Sequence, residues 1–295
     1  MEGNTYKAAV RHDKEGKDLR VTEYQKTEPG AGFVRVRVEA APINPSDVYH
    51  AMGVYGGKGM PDPPSTIGLE GCGQIEAIGA DVPADLLNKK VAFGRNPAAD
   101  TLNGTWAQYA IVHHRGLLVF PDTADYSVIA SSFVNPVTVV GLIDKGKKDG
   151  HTAFIHTAAA SSLGKQLIKY CKKIGTPLVN IVRREEQVKQ LKEIGAEYVL
   201  NSSDEKFQEE LEKVIADVKP TALLEAVGGD TPMKIFLAMP NGSYMYPYGV
   251  LSGQPYTVSG ATHIFEAKVI SGFWLGLWLG SLAPEEAKTV LGEIV

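Results

Sequence analysis

Residues 151–182 read HTAFIHTAAASSLGKQLIKYCKKIGTPLVNIV, and this stretch decides the fold. Ala153–Thr157 is a short apolar-rich run suited to a buried parallel strand. Ala158–Gly164 carries only small side chains apart from Leu163. Leu167, Ile168, Cys171 and Ile174 then recur at helical spacing, with lysines on the other face. Gly175 and Pro177 stop that helix. Leu178–Val182 is a second apolar strand, so the stretch is one βαβ unit with an expected right-handed crossover.

The bend between the first strand and the helix carries the chemistry. A dinucleotide site needs small residues there so that the turn is tight, the backbone can approach a pyrophosphate and the helix packs close to the strand. The helix N-terminus then offers free N–H groups and a positive dipole end to the phosphates. Here the bend reads Ala158-x-x-Ser161-x-x-Gly164, a degenerate form of G-x-G-x-x-G. A plain βα connection also uses small residues. The strand–turn–helix–strand context favours the dinucleotide reading, with Ala160, Ser161, Ser162, Leu163 and Gly164 as the expected contacts.

The end of the second strand discriminates between cofactors. An NAD site places Asp or Glu about 20 residues on, to hold the ribose 2′-hydroxyl. Nineteen residues after Gly164 stands Arg183, followed by Arg184, and the first carboxylate is Glu185. Guanidinium groups at a strand end suit a 2′-phosphate, which they grip in bidentate fashion. NADPH is therefore expected over NADH. The competing reading is that both arginines simply solvate a surface turn.

Outward from this unit, the halves of the chain differ in kind. Tyr6–Val10, Leu19–Glu23, Phe33–Ala40, Lys90–Phe93, Ala107–Val112 and Leu117–Phe120 read as strands. Phe33–Ala40 alternates cleanly, as a half-exposed antiparallel strand does. Ile67–Gly79 is glycine-dense, the mark of strands that bend or bulge. Ala41–Met60 reads as irregular. Residues 1–124 thus form an all-β domain with long loops. From Tyr126 on, helices and strands alternate: Glu186–Ile194 and Asp204–Val218 are helices, the latter started by Ser203 and Asp204. Tyr198–Leu200, Ala222–Val227, Ser243–Tyr248 and Lys268–Phe273 are strands. That alternation implies a doubly wound parallel sheet over residues 125–280. Pro284 opens a last helix within residues 281–295.

Composition removes other classes. The 295 residues are 44% hydrophobic and 22% charged with a net charge of −4, so no basic surplus points to nucleic acid or an anionic membrane. The longest apolar run, Val269–Leu282, is short and glycine-punctuated, and reads as a buried strand and its exit loop rather than a membrane span. Cys72 and Cys171 are the only cysteines, which fits a reducing compartment and excludes a four-cysteine zinc site. His113 and His114, adjacent on an expected strand, would face opposite ways. The first sixteen residues have the character of neither a signal nor a transit peptide, so the cytoplasm is the expected compartment, or the mitochondrial matrix if a transit peptide was removed.

These motifs together resemble the zinc-independent branch of the medium-chain dehydrogenase/reductase superfamily. Within it the chain is most similar to 2-enoyl thioester reductases, with NADPH:quinone reductases as neighbours. The resemblance covers nearly the whole chain. It is carried by Ala41-Pro-Ile-Asn-Pro-Ser-Asp47, Gly53-Val-Tyr55, Gly68-Leu-Glu70-Gly71, Asn135-Pro-x-Thr138, the Ala158–Gly164 bend, Arg183 and Gly272-Phe-Trp-Leu275. Ser162 stands where the family has Gly, and Glu185 where relatives carry a second basic residue, for which Arg184 can substitute. Members run on for several tens of residues past the equivalent of Val295 and return to the first domain, so the resemblance implies that the last part of that domain is missing from the chain. The zinc-dependent branch places Cys and His ligands at the equivalents of Asn44–Asp47 and Gly68–Glu70. Leu69 cannot bind metal, and no metal site is expected.

The resemblance implies a two-domain α/β protein, with a GroES-like β-rich catalytic domain and a Rossmann domain that binds NADPH. It implies hydride addition to an activated C=C bond, most simply a 2-enoyl thioester, with an NADPH:quinone or enone reductase as the alternative. Charge develops on the thioester oxygen and needs a hydrogen-bond donor. Tyr55 is the expected donor, since an ordinary phenol with a pKa near ~10 keeps its proton at neutral pH. Asn135 would position cofactor and substrate, or else serve only as an Asn-Pro helix entry. Tyr248, Gly249, Val250, Leu251, Phe273, Trp274 and Leu275 follow two late strands, at the sheet edge where ligands bind. Trp274 would line the acyl pocket. Asp47 and Glu70 read as structural hydrogen-bond partners. A homodimer is expected. Ser162 and the early end of the chain also fit a non-catalytic assembly subunit that keeps the fold.

Overall fold

The computed structural model describes residues 4–55, 62–95 and 104–294. The chain forms two compact units. One takes the residues up to Val134 together with those from Lys288 on, and the other runs Asn135–Ala287.

In the first unit, β1 (Thr5–Arg11) pairs with β2 (Leu19–Gln25) in a hairpin. β3 (Phe33–Ala40) follows, then α1 (Pro45–Ala51), β4 (Ser65–Thr66), β5 (Glu70–Ile78), β6 (Lys90–Gly94), β7 (Tyr109–His113), β8 (Leu117–Phe120) and α2 (Tyr126–Ile129). A three-stranded sheet has the order β2-β1-β4 and a five-stranded antiparallel sheet the order β7-β3-β5-β6-β8. The glycine-dense segment behaves as its composition predicts: the β3–β5 register shifts at Arg35/Val36 and again at Val38/Ala40. Val34, Val36, Ile75, Val91, Phe93, Ala110 and Val112 form the core of this sheet. Each such fully buried aliphatic side chain contributes about 1.5–3 kcal/mol.

In the second unit, α3 (Val134–Lys148) leads into β9 (Phe154–His156), α4 (Ser162–Lys173), β10 (Leu178–Val182), α5 (Glu185–Glu193), β11 (Tyr198–Asn201) and α6 (Phe207–Val218). The chain continues through β12 (Ala222–Glu225), α7 (Asp230–Ala238), β13 (Tyr244–Pro247), α8 (Gly260–Phe265), β14 (Val269–Ile270), α9 (Leu275–Ser281) and α10 (Pro284–Gly292). Six strands form one parallel sheet in the order β11-β10-β9-β12-β13-β14. The chain winds outward from β9 to β11, crosses back, and winds outward again from β12 to β14. That reversal between β9 and β12 is a Rossmann switch point, and ligands of such sheets bind outside the carboxyl ends of the strands. The strands are short and apolar because both faces are covered: Ile155, Val179, Ile181, Leu223 and Met245 are all nearly sealed from solvent.

Several expectations are corrected. Ala41–Met60 is not irregular throughout, since Asn44 caps α1 in a capping box with Asp47 and Pro45 opens the helix; residues 56–60 of that stretch lie outside the described residues. α6 starts at Phe207 rather than Asp204, because the Asp204 carboxylate is used in a turn that accepts the Lys206 N–H at 2.8 Å. Val269–Leu282 is a two-residue strand followed by helix α9, not a strand and a loop. His113 and His114 do not face opposite ways, because β7 ends at His113 and a 3₁₀ turn follows, so the two rings stack at 5.1 Å. Tyr126–Lys148, spanning α2 and α3, is long and apolar enough to cross a membrane by composition, but more than half of its most apolar 18-residue window is buried within the protein.

Candidate active site

In the second unit the bend after β9 is built as a phosphate turn requires. Ala158 sits in the left-handed region, with φ at 51°. Ser161 caps α4, its hydroxyl accepting the Gly164 N–H at 3.0 Å. A Cβ at Gly164 would lie 2.2 Å from the Ala159 carbonyl oxygen, so only glycine lets helix and bend approach this closely. Ala160 and Ser161 are partly exposed, Ser162 is exposed, and Leu163 and Gly164 are buried. The open part of the bend therefore presents small side chains at the start of a twelve-residue helix.

Arg183 and Arg184 follow the last residue of β10, and both are exposed. The Arg183 backbone N–H donates to Gln187 Oε1 at 3.2 Å, while Arg184 Nε pairs with Glu186 Oε1 at 3.0 Å. Tyr248, Gly249, Val250 and Leu251 follow β13. Tyr248 N donates to the Glu225 carbonyl at 2.8 Å and Leu251 N to that of Ala226 at 3.0 Å, which fastens this loop to the end of β12. Phe273, Trp274 and Leu275 follow β14, with Phe273 N bonded to Pro247 O at 2.8 Å. Phe273 and Trp274 line an open hollow of about 490 Å³ together with Lys145, Pro247 and Trp278. The bend, the two arginines and both loops thus stand at the carboxyl ends of strands of one parallel sheet. Asn135 is the second residue of α3, the helix that leads into β9, and is partly buried.

Two side chains that sequence reasoning missed hold this edge in shape. Glu225, fully buried at the end of β12, accepts the Thr157 hydroxyl at 3.1 Å and the N–H groups of Val227 at 2.5 Å and Gly228 at 3.1 Å. Its other oxygen takes the Tyr256 hydroxyl. One carboxylate thereby pins the exits of β9, β12 and β13. His156, also fully buried, has Nε2 2.6 Å from the Tyr248 hydroxyl. Burial holds His156 neutral, with its pKa lowered to about 3, and raises the Tyr248 phenol.

In the first unit Tyr55 is placed by the C-terminus of α1. The N–H groups of Val54 and Tyr55 both donate to Tyr49 O, at 3.0 and 3.2 Å. Gly53 makes this turn with φ at 73°, and a Cβ there would lie 2.0 Å from the Lys14 carbonyl oxygen. Tyr55 is partly buried. Asp47 and Glu70 are fully occupied as structural acceptors. Asp47 takes the N–H groups of Asn44 and Leu69, each at 2.7 Å. Glu70 takes Asn44 Nδ2 at 2.7 Å and the N–H groups of Val134 at 2.6 Å and Phe133 at 3.2 Å. Among the described residues no group of three or more His, Cys, Asp and Glu side chains is placed to hold a metal ion.

A β-rich unit with an Asn-capped, acid-stapled loop helix, joined in one chain to a Rossmann sheet with a small-residue phosphate bend, defines a dinucleotide-dependent oxidoreductase of the medium-chain type. Family models agree with this division: residues 30–122 match the alcohol dehydrogenase GroES-like domain and residues 162–294 the zinc-binding dehydrogenase domain. The rat mitochondrial enoyl-[acyl-carrier-protein] reductase is 30% identical over 290 residues, covering 95% of this chain and 74% of its own length. A crystal structure from Mesorhizobium loti assigned to the NADPH:quinone reductases superposes with a TM-score of 0.86 at 32% identity, over 100% of this chain and 88% of its own. A complex of Etr1p with NADP and crotonyl-CoA shares the fold, with a TM-score of 0.81 at 23% identity over 99% of this chain and 87% of its own. The chain belongs to the medium-chain dehydrogenase/reductase family, and the mitochondrial enoyl-[acyl-carrier-protein] reductases are among its relatives.

Proposed function

We propose that this protein is an NADPH-dependent reductase of an activated C=C bond, and that its substrate is a 2-enoyl thioester. One observation carries the reading: a phosphate bend that only Gly164 allows to close stands beside a strand end occupied by Arg183 and Arg184 instead of a carboxylate. The residues fit the cofactor. Ala160, Ser161, Ser162, Leu163 and Gly164 would hold the pyrophosphate against the N-terminus of α4. Arg183 and Arg184 would take the 2′-phosphate. Tyr248, Gly249, Val250, Leu251, Phe273, Trp274 and Leu275 would line the nicotinamide end, with Asn135 positioning cofactor and substrate. NADPH, when bound, supplies the hydride.

The chain's own work is to orient and to donate. Tyr55 would keep its hydroxyl proton and point it at the thioester oxygen, where negative charge grows as the double bond is reduced. Gly53 and α1 fix the backbone from which it reaches. The exits of β12 and β13, fastened by Glu225, would hold the ring contacts still. Trp274 and Phe273 offer an apolar wall for an acyl chain.

The neighbour assigned to the NADPH:quinone reductases, at 32% identity, favours a quinone or enone as the second reading. The test is NADPH oxidation with a crotonyl thioester and with a benzoquinone, side by side. Faster turnover of the thioester supports the first reading, and turnover of the quinone alone replaces it with the second. A homodimer is the assembly we propose. The mitochondrial names of the relatives favour the matrix over the cytoplasm as its compartment.

A further inference from the structure

Arg95, the residue that follows β6, is wired into the two motifs that mark the first unit. Its N–H donates to Leu69 O at 2.7 Å, and the Leu69 N–H in turn donates to Asp47 in α1. Its Nη1 lies 2.8 Å from Nε2 of His50, a residue of α1 with only 1% of its surface exposed. Nη1 always carries protons, so Nε2 must be the acceptor and the His50 proton sits on Nδ1. Burial, with Arg95 and Arg11 close by, keeps that imidazole neutral, its pKa lowered to about 3. Arg95 itself is lowered only to about 10 and stays charged at neutral pH.

Among the described residues this charge has no counter-ion. The charged group that bears on Arg95 is another cation, Arg11, and the carboxylates of the neighbourhood, Asp13 and Asp62, bear on Arg11 instead. Asp62 also pairs with Lys14 at 3.1 Å. Meanwhile Nε and Nη2 of Arg95 are buried and make no hydrogen bond to the described residues. They are the two donors on one edge of the guanidinium, spaced to meet the two oxygens of a carboxylate. The bond to His50 fixes the plane of the group, so this fork has a set direction. An unpaired buried fork is costly, and such exceptions call for a missing partner. Arg95 as a whole is partly exposed, while Nε and Nη2 themselves are buried.

The site adjoins the segment that carries Tyr55. His50 O accepts the Gly53 N–H at 3.1 Å, two residues before Tyr55, and a Cβ on Gly53 would lie 2.9 Å from Arg11 Nη1. We propose that the Nε–Nη2 edge of Arg95, held by His50, binds a carboxylate carried by the substrate, so that this enzyme prefers enoyl compounds bearing a second acid group. A single uncompensated positive charge suits a monoanionic carboxylate better than a dianionic phosphate. Arg95 is on this account a specificity-determining residue and His50 a positioning residue. The substrate half of the inference rests on the reductase reading above; the anion site does not.

The test has two arms on the full chain. In the first, thermal unfolding is followed at constant ionic strength with glutarate or inorganic phosphate replacing chloride. Glutarate is expected to raise the wild-type midpoint saturably, and Arg95→Met and Arg95→Lys to abolish that rise. Arg95→Lys keeps the charge and lacks the fork, and it serves if Arg95→Met fails to fold. No saturable rise, an equal rise in Arg95→Lys, or a rise with phosphate alone would overturn the site. The second arm compares a crotonyl thioester with an enoyl thioester ending in a carboxylate. The wild type should show a KM at least about tenfold lower for the acidic substrate, and Arg95→Lys should erase that ratio. Equal KM values in the wild type overturn the specificity. Turnover of neither thioester counts against the reductase reading and leaves the first arm to decide the anion site.

Discussion

The hydroxyl of Tyr248 lies 2.6 Å from Nε2 of His156, and the two rings lie nearly parallel, 17° apart. Among the described residues His156 Nδ1, buried, has no partner, and the imidazole's hydrogen bond is the one to Tyr248. Tyr248→Phe removes it and strands a fully buried ring, at an expected cost of about 1–3 kcal/mol. Replacing both partners, in His156→Leu with Tyr248→Phe, leaves nothing unsatisfied and should cost less than Tyr248→Phe alone. Urea unfolding of the two singles and the double checks this. A double variant as unstable as the sum of the singles contradicts it.

Two of the three buried histidines among the described residues, His156 and His50, set an acid limit on stability. Burial lowers His156 and His50 to about 3, from an ordinary value of 6.5. As pH falls through 6.5 the unfolded chain takes up protons that the folded chain refuses until about 3. Stability therefore declines with falling pH across that window, by about 1.4 kcal/mol per pH unit for each histidine. Glu70 and Asp47, whose carboxyls burial raises, act in the opposite sense. Comparing wild type with His156→Gln cancels their contribution. The variant should lose less stability between pH 7 and pH 5, and parallel curves would show that His156 titrates normally.

At the phosphate bend the steric margin is smaller than a methyl group. Gly164→Ala would place its Cβ 2.2 Å from Ala159 O, against backbone that cannot turn aside. Overpacking of this kind costs about 1–3 kcal/mol. It also displaces the N-terminus of α4, so NADPH affinity should fall at least about tenfold, read by fluorescence titration. Unchanged affinity would place the pyrophosphate elsewhere.

These three sites differ in how far the amino-acid sequence announces them. Gly164 is legible because the bend, the helix period and the following strand are all local, within one βαβ unit. β10, wholly buried, appears as five apolar-rich residues with matching bounds. Glu225 and His156 are not legible. Each is one polar residue at the end of a buried run, and the His156 partner lies 92 residues away in sequence. Such a residue declares itself only when the sheet order places β9 beside β12. Helix α9 was hidden for another reason: Leu275–Ser281 is apolar on most sides, and a short apolar run cannot be told from a strand by periodicity. The stacking of His113 on His114 depends on β7 ending at His113 and a 3₁₀ turn starting at His114, a boundary that no pattern marks.

Cofactor choice separates the two arginines. Arg184 is already paired with Glu186, and both side chains are largely exposed, 65% and 71%, so that pair is weak but does compete for the guanidinium. Arg183 follows the strand end directly. A charge-assisted bond to a 2′-phosphate is worth about 1.5–3 kcal/mol, or about 10- to 100-fold. Arg183→Ala should therefore raise the KM for NADPH by that factor with little change for NADH, and Arg184→Ala should do so less. Steady-state kinetics with both cofactors decide it, and an unchanged NADPH/NADH ratio in Arg183→Ala removes the 2′-phosphate assignment.

Tyr55 carries the chemical step in the reading given above, and its backbone explains why Gly53 precedes it. With φ at 73° and the Lys14 carbonyl 2.0 Å from any Cβ, position 53 admits no side chain without moving the turn. Tyr55→Phe keeps the ring and the turn but loses the proton donor. It should lower enoyl turnover at least about tenfold, the cost of one donor to a developing oxyanion being about 2.7–4 kcal/mol where it has been measured in other enzymes. NADPH binding should persist, because Tyr55 lies in the unit that lacks the Rossmann sheet. Gly53→Ala keeps the donor and displaces it, and should lower turnover likewise while raising the KM. If Tyr55→Phe turns over enoyl thioester at the wild-type rate, the hydroxyl takes no part and the donor must be sought on another residue. If Gly53→Ala alone impairs turnover, the loop matters for its shape and not for the phenol.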